Sequence, residues 1–265
     1  MLKNKTILLT GASGGIGSEI AKLLSSHGAK LILVGRSQVN LQTLNDQLGG
    51  QHYVIEADIS TSEGRQTILS SCQQYEDKLD ILINNAGIGQ FSLFSELSED
   101  EITAIININL TSTMLLSKSL LPLLLTRPQA QIVTIGSILG SIGFPGSTVY
   151  CASKFGSRGF TEALRRELLD TNVSVRYFAP RATKTALNNE YVEAMNDELG
   201  THMDNANDVA QQLLLFLNGE SANKYLGWPE KLFVRINSVL PGVVEKSIYK
   251  KLAVIKRYLR GTQQP

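Results

Sequence analysis

The chain has 265 residues and a mass of 28.9 kDa, is 43% hydrophobic and 18% charged, and carries a formal net charge of +1. That length suits one large α/β domain, no Pro/Gly/Ser-rich linker divides it, and the near-neutral charge removes any global argument for nucleic acid as a partner. Two cysteines, Cys72 and Cys151, allow one disulfide at most and lack metal-site spacing, so reduced thiols, a cytoplasmic setting and no bound metal are expected.

Lys3 and Lys5 precede the apolar run Ile7-Leu8-Leu9, which is too short for a secretion signal and ends in a glycine-rich turn. It reads as a first strand, followed by Gly11, Gly14, Gly15 and Gly17 and a helix over 16–27 with Ile16, Ile20, Leu23 and Leu24 on one face. Glycines let the backbone approach a ligand closely, and the helix start offers free N–H groups to a pyrophosphate. A plain loop is the alternative.

Strands follow at 30–34, 53–56 and 80–83. Where an acid would grip an adenosine ribose after the second strand, the chain has Gly35-Arg36; the third strand leads to Asp58 and the fourth to Asn84-Asn85-Ala86-Gly87. The regular alternation of strands and helices predicts α/β architecture: a single Rossmann-type, doubly wound parallel sheet with helices on both faces and right-handed crossovers.

A long helix over 98–125, opened by a Ser98–Glu101 capping box, carries Asn107 and Asn109 among Ile105, Ile106, Ile108 and Leu110. A buried amide is costly unless hydrogen-bonded, so at least one of these asparagines is expected to face a polar site, with plain exposure as the alternative. No apolar run is read as approaching the roughly 18 to 20 residues of a membrane span.

The run 131–135 reads as a strand that delivers Ser137 to its C-terminal end, where open α/β sheets bind ligands and a hydroxyl can polarise a carbonyl. In the next helix, over 148–170, Tyr150 and Lys154 are four residues apart and share a face. A phenol with a reference pKa of about 10 is a poor base near neutrality, and a neighbouring ammonium is expected to lower that pKa. A surface helix pair is the alternative reading. A sixth strand over 173–178 ends at Ala179-Pro180-Arg181, and the polar stretch 185–203 falls where an active-site lid would be. A helix over 207–217 and a strand over 224–227 complete the sheet.

Thr10-Gly-Ala-Ser-Gly-Gly-Ile-Gly17, Asn84-Asn-Ala-Gly87, Asn109, Ser137 and Tyr150-Cys-Ala-Ser-Lys154 thus stand in order on one chain. Together, over about residues 5–227, they resemble the short-chain dehydrogenase/reductase family. The resemblance implies an NAD(P)-dependent enzyme acting on CH–OH/C=O groups. Tyr150 would be its general acid or base, Ser137 would hold the substrate oxygen, Lys154 would grip the nicotinamide ribose, and Asn109 would anchor a proton-relaying water. It further implies cofactor contacts from Gly11, Ser13, Gly15, Ile16 and Gly17 in the glycine turn, Asp58 at the adenine, Asn85, Ala86 and Gly87, and Pro180 and Thr185. Arg36 stands where a cation can pair with a 2′-phosphate, so NADP(H) is expected in preference to NAD(H).

One departure is Pro180-Arg181 where the family usually has Pro-Gly. Arg181 is expected either to aim its charge at the cofactor phosphates or an acidic substrate group, or to point into solvent. Ile138, Leu139, Ile142 and Phe144 suit an apolar pocket or simple packing, so the expected substrate is a small apolar molecule: lipid-like, acyl or ketone. A 3-oxoacyl thioester reductase is one alternative, and a non-catalytic dinucleotide-binding sensor or scaffold is another. The resemblance also implies a homodimer or homotetramer.

Residues 228–265 form a separate basic tail, with eight basic residues against two acidic ones; its net +6 leaves −5 for the rest of the chain. Pro241-Gly242 splits it into two helices, and Val244, Ile248, Leu252, Ile255 and Leu259 make an apolar stripe on the second, roughly opposite Lys246, Lys250, Arg257 and Arg260. The stripe is expected either to lie on an anionic membrane as a peripheral contact or to pack on the protein's own sheet or another subunit.

Overall fold

A computed structural model describes residues 2–75, 78–188 and 190–261; the last four residues of the tail, 262–265, lie outside the described residues. The strands are β1 (Thr6–Thr10), β2 (Lys30–Gly35), β3 (Tyr53–Glu56), β4 (Ile81–Asn84), β5 (Ala130–Ile135), β6 (Val173–Ala179), β7 (Thr183–Lys184), β8 (Asp204–Asn205) and β9 (Asn223–Tyr225). Seven of them form a parallel sheet in the order β3-β2-β1-β4-β5-β6-β9, and β7 pairs with β8 apart from it. The order reverses between β1 and β4. The crevice beyond their C-terminal ends is therefore where this topology receives a ligand.

The helices are α1 (Gly15–Ser26), α2 (Gln38–Gln47), α3 (Ser62–Gln74), α4 (Glu99–Ile106), α5 (Ser112–Leu125), α6 (Thr148–Glu167), α7 (Glu190–Glu198), α8 (Ala206–Asn218), α9 (Glu230–Val239) and α10 (Pro241–Gly261). Because side chains alternate along a strand, Ile7 and Leu9 of β1 point to one face, where Ile20 and Leu24 of α1 and Val209, Leu213 and Phe216 of α8 cover them. Leu8 points to the other face, packed with Ile68 and Cys72 of α3 and Leu116, Leu120 and Leu124 of α5. Both faces are thus covered, as an all-parallel sheet requires, and each fully buried aliphatic side chain contributes roughly 1.5–3 kcal/mol. Cys72 and Cys151 are both buried and unbridged.

Two local departures from the sequence reading matter. Asp80 does not start β4; its buried carboxylate accepts from the Thr6 N–H at 2.9 Å, from Arg127 at 3.0 and 2.9 Å and from Lys5 at 3.3 Å, tying the sheet's lower edge together. The helix expected over 98–125 begins with the capping box, Ser98 N–H donating to Glu101 at 2.9 Å and Glu101 N–H to Ser98 at 3.2 Å. It is then interrupted by a π-helical turn, Asn107–Thr111. By length and composition Glu99–Leu125 could cross a membrane, which the sequence reading did not anticipate. Leu116, Leu120 and Leu124 nevertheless lie in the sheet core, so this is a core helix.

Candidate active site

The glycine turn sits at the topological switch. Gly11 adopts φ +63°, and a side chain there would meet the Ala86 backbone at 3.0 Å. At Gly17 an added carbon would lie 2.1 Å from the Gly11 carbonyl oxygen, so only glycine fits the start of α1. The N-cap is Gly14, with no side chain bonded to the first-turn N–H groups, which leaves them free for an anion. Asn85 holds the turn in shape: its Nδ2 donates to the Thr10 carbonyl at 3.0 Å and to that of Gly11 at 3.3 Å. The Thr10 hydroxyl accepts from the N–H groups of Asn85 and Ala86, each at 3.0 Å. These residues fit a dinucleotide, with backbone donors facing the crevice and no bulk in the way.

Farther out, the Ser13 hydroxyl lies beside Gly35 at the end of β2, and Arg36 follows it, exposed and without an ion pair among the described residues. Asp58 lies two residues past β3. Burial would raise its carboxyl pKa, but hydrogen bonds from Ser60 and the charge of Arg36 hold it below the usual range.

On the other side of the switch, Ser137 follows β5 and its hydroxyl accepts from the Leu139 N–H at 3.1 Å. Ser137 stands close enough to the Tyr150 side chain to draw the phenol's pKa down. Lys154, one turn along α6, is buried; its ammonium donates to the Ile135 carbonyl at 3.2 Å and sits 5.6 Å from the Tyr150 ring centre. The expected lowering of the phenol's pKa by Lys154 does not appear. Burial pushes Tyr150 up to about 12, only partly offset by the nearby Ser137, and the same burial pushes Lys154 down to about 8. Desolvation disfavours both charged forms, and at this separation it outweighs their attraction.

Asn109 is buried, as one of the two asparagine readings required, and Asn107 instead donates to the Ser60 carbonyl at 3.3 Å. The Asn109 amide clasps the Ile88 backbone, Oδ1 accepting its N–H at 2.8 Å and Nδ2 donating to its carbonyl at 2.9 Å, while Nδ2 also donates to Ser153 at 3.1 Å. Its own carbonyl accepts from Ser157 at 3.1 Å. The π turn thus locks the helix to α6 behind Tyr150 and Lys154, and such turns are frequent at functional sites. Gly87 lies against this cluster: a side-chain carbon there would stand 3.1 Å from Asn109 Oδ1 and 3.6 Å from Lys154 Nζ.

One cavity of about 480 Å³ joins these parts. It is lined by Ile16, Asn85 and Gly87 from the glycine side, by Ser137, Tyr150 and Lys154, and by Pro180 and Thr185 after β6. Gly15 and Thr185 also touch, an added carbon at Gly15 falling 2.7 Å from the threonine methyl. Gly11, Ser13, Gly15, Gly17, Ala86 and Asn109 lie outside this lining, as do Arg36 and Asp58 at the ends of β2 and β3. The remaining wall is mostly apolar, with Ile138, Leu139, Ile142, Phe144, Leu187, Val192 and Met195.

The structure corrects the solvent-facing expectation for Arg181, which lines the cavity. It does not point into solvent: its guanidinium bonds Asp204 at 2.8 Å and Glu230 at 3.1 Å, with its side chain 13% exposed. It therefore clamps the segment after β6 to β8 and to α9. Its backbone is not left-handed, since Asn4 is the one non-glycine residue at positive φ among the described residues, so the family's glycine is not needed here.

The tail stripe likewise finds its partner inside the protein. Val244 packs with Ile138, Ile142 and Val234, while Ile255 and Leu259 pack with Met195, Phe91 and Phe144. Phe233, Val244, Ser247, Ile248 and Lys251 consequently line the cavity, and the stripe is not available as a membrane face.

Sequence reasoning also missed Tyr177 and Gln90. The buried Tyr177 hydroxyl accepts from the Ser137 N–H and donates to the Ser137 carbonyl, both at 3.3 Å, and passes under Gly136, where a side chain would collide with its ring. The glycine before Ser137 was its one signal. Gln90 lines the cavity with both amide atoms buried and without a partner among the described residues, and nothing in the sequence marked it.

The fold and its switch-point crevice define a Rossmann-type α/β protein. The chain belongs to the short-chain dehydrogenase/reductase family and is an oxidoreductase: the short chain dehydrogenase family pattern matches residues 5–196. A 3-oxoacyl-[acyl-carrier-protein] reductase of Vibrio cholerae is 36% identical over 200 residues, covering 76% of this chain and 80% of the relative. Among solved structures, a short chain dehydrogenase/reductase from Burkholderia phymatum in complex with NAD superposes with a TM-score of 0.80 at 22% identity, over 89% of this chain and 94% of that one. A short chain dehydrogenase from Burkholderia cenocepacia in complex with NADP gives a TM-score of 0.79 at 20% identity, over 94% and 98%. These two share the fold.

Proposed function

We propose that the protein is an NADPH-dependent reductase of a carbonyl on an apolar substrate, or the corresponding alcohol dehydrogenase. The observation that carries this reading is the single cavity on which Ser137, Tyr150 and Lys154 converge between the glycine turn and an apolar wall. The nicotinamide cofactor supplies the hydride for the carbonyl carbon. Ser137 holds the carbonyl oxygen. Tyr150, kept protonated by burial, donates its proton to that oxygen, and the Lys154 ammonium stabilises the phenolate left behind. Asn109 fixes the helix bearing both groups and anchors a water for reprotonation. Gly11, Gly15, Ile16, Gly17, Asn85, Ala86 and Gly87 hold the dinucleotide, with Ser13, Arg36 and Asp58 at its adenosine end and Pro180 and Thr185 at its nicotinamide.

A 3-oxoacyl thioester as substrate is the second reading, favoured by the likeness to the Vibrio cholerae reductase. A homo-oligomer is supported by large apolar side chains left exposed on neighbouring helices, Leu115 and Leu125 on α5 and Phe155 on α6. The cytoplasm is the compartment proposed. The test is NADPH oxidation across ketones, aldehydes and 3-oxoacyl thioesters. Turnover confined to thioesters selects the second reading, and cofactor binding without turnover on any class selects a non-catalytic sensor.

A further inference from the structure

The helical hairpin of the tail has two faces, and the cleft uses one. On the other, Trp228 is 63% exposed, Leu232 39%, Val239 76%, Leu240 59%, Val243 51% and Tyr249 74%. Leu232, Arg235 and Val239 form one stripe of α9 on the side away from the buried Val234, and Trp228 stands just before the helix. On α10, Val243, Lys246 and Lys250 stand on the side away from the buried Val244, Ile255 and Leu259. Residues 239–243, the turn between the helices, are all exposed and all uncharged. Scattered exposed hydrophobics need no explanation, but a contiguous apolar tip does.

Exposed cations line the two helices behind that tip: Lys231, Arg235, Lys246 and Lys250, with Glu245 the single acid between residues 231 and 250. The tail's +6 sits on a body of −5, so the field around the protein turns the hairpin toward a negative surface and the body away from it. We propose that this outer face docks on an anionic lipid bilayer. Its apolar tip enters the boundary between headgroups and acyl chains, the aromatic rings of Trp228 and Tyr249 lie at the headgroup level, and the four cations meet the lipid charges. The face is the reverse of the stripe marked by sequence periodicity, because that stripe is occupied inside. Since Ile248 and Lys251 of the same helix line the cavity, docking sets the cleft beside the lipid surface, from which an apolar substrate can enter. The docking itself does not depend on what the cleft reduces.

Vesicle flotation of the full chain tests this, with phosphatidylglycerol/phosphatidylcholine vesicles compared with phosphatidylcholine alone. The protein should float with the anionic vesicles at low salt, and at least tenfold less with neutral vesicles or raised salt. Val239→Asp with Val243→Asp, and separately Lys231→Glu, Lys246→Glu and Lys250→Glu, should each abolish flotation while leaving the circular-dichroism melting curve unchanged, as all these side chains are exposed. The proposal is overturned if the intact protein remains unbound with anionic vesicles, or if it floats equally well with both sets of substitutions. It is also overturned if the apolar-tip substitutions instead split a dimer seen by light scattering, since a second copy would then be the occupant.

Discussion

Tyr150, half-buried, and Lys154, buried, share a face of α6, and desolvation acts on them in opposite directions. The Lys154 pKa falls from 10.5 to about 8, so between those values the unfolded chain holds a proton that the folded one has released. Stability therefore rises with pH from about 8 toward 10.5 on account of this group. Tyr150, raised from 10 to about 12, opposes it above pH 10, where the folded chain keeps the proton and stability falls. The buried Cys72 thiol, pushed up from 9 to about 12, opposes this rise above pH 9, so the stability of the unmodified protein relative to Lys154→Met in thermal unfolding is the quantity that should rise between pH 8 and 10. Parallel curves for the two proteins would contradict the assignment. At the adenosine end, Arg36 is free to meet a 2′-phosphate, although Asp58 already feels its charge. A charge-assisted hydrogen bond is worth roughly 1.5–3 kcal/mol, or about 10- to 150-fold in affinity. Arg36→Ala should erase most of an NADPH preference measured as the ratio of kcat/KM for the two cofactors. Equal use of NADPH and NADH by the unmodified protein would remove the role.

The elements were legible where periodicity and glycines spoke, and less so where an environment decides. Strand, glycine turn and helix could be read at residues 6–26 because the turn demands glycine whatever surrounds it. The π turn could not be read, since one residue's slip within Ile105-Ile-Asn-Ile-Asn-Leu110 leaves the run apolar. The fate of Arg181 was equally hidden, because Asp204 and Glu230 are 23 and 49 residues away along the chain. That clamp joins the segment after β6 to β8 and to α9. Arg181→Ala leaves two carboxylates without their shared cation, which costs roughly 1.5–3 kcal/mol where such bonds are largely shielded from water. Limited proteolysis should then cut the 183–205 segment faster, and KM should rise more than kcat falls. Unchanged cleavage and KM would show that the clamp does not hold that segment.

At the scale of the whole molecule, sheet order and the switch-point crevice follow from regular alternation of strands and helices, and the sequence conveyed that pattern. It also showed the tail to be amphipathic and basic. Which side of the tail meets protein was not legible, because a helical stripe looks the same whether it covers a cleft or a bilayer. Packing against Ile138, Phe144 and Met195 decides it, and those residues come from two segments far from the tail in sequence, the loop after β5 and α7. The tail thereby completes the cavity beside the phenol.

The central claim is that Tyr150 gives and takes the reaction's proton, and replacing it with phenylalanine removes one oxygen while keeping the ring. For Tyr150→Phe, steady-state NADPH oxidation with the best carbonyl substrate should fall roughly 100-fold or more, as for the loss of a positioned acid. Cofactor affinity, read from the quenching of protein fluorescence, should stay within about threefold, well under 1.4 kcal/mol. Turnover retained in that variant would contradict the account.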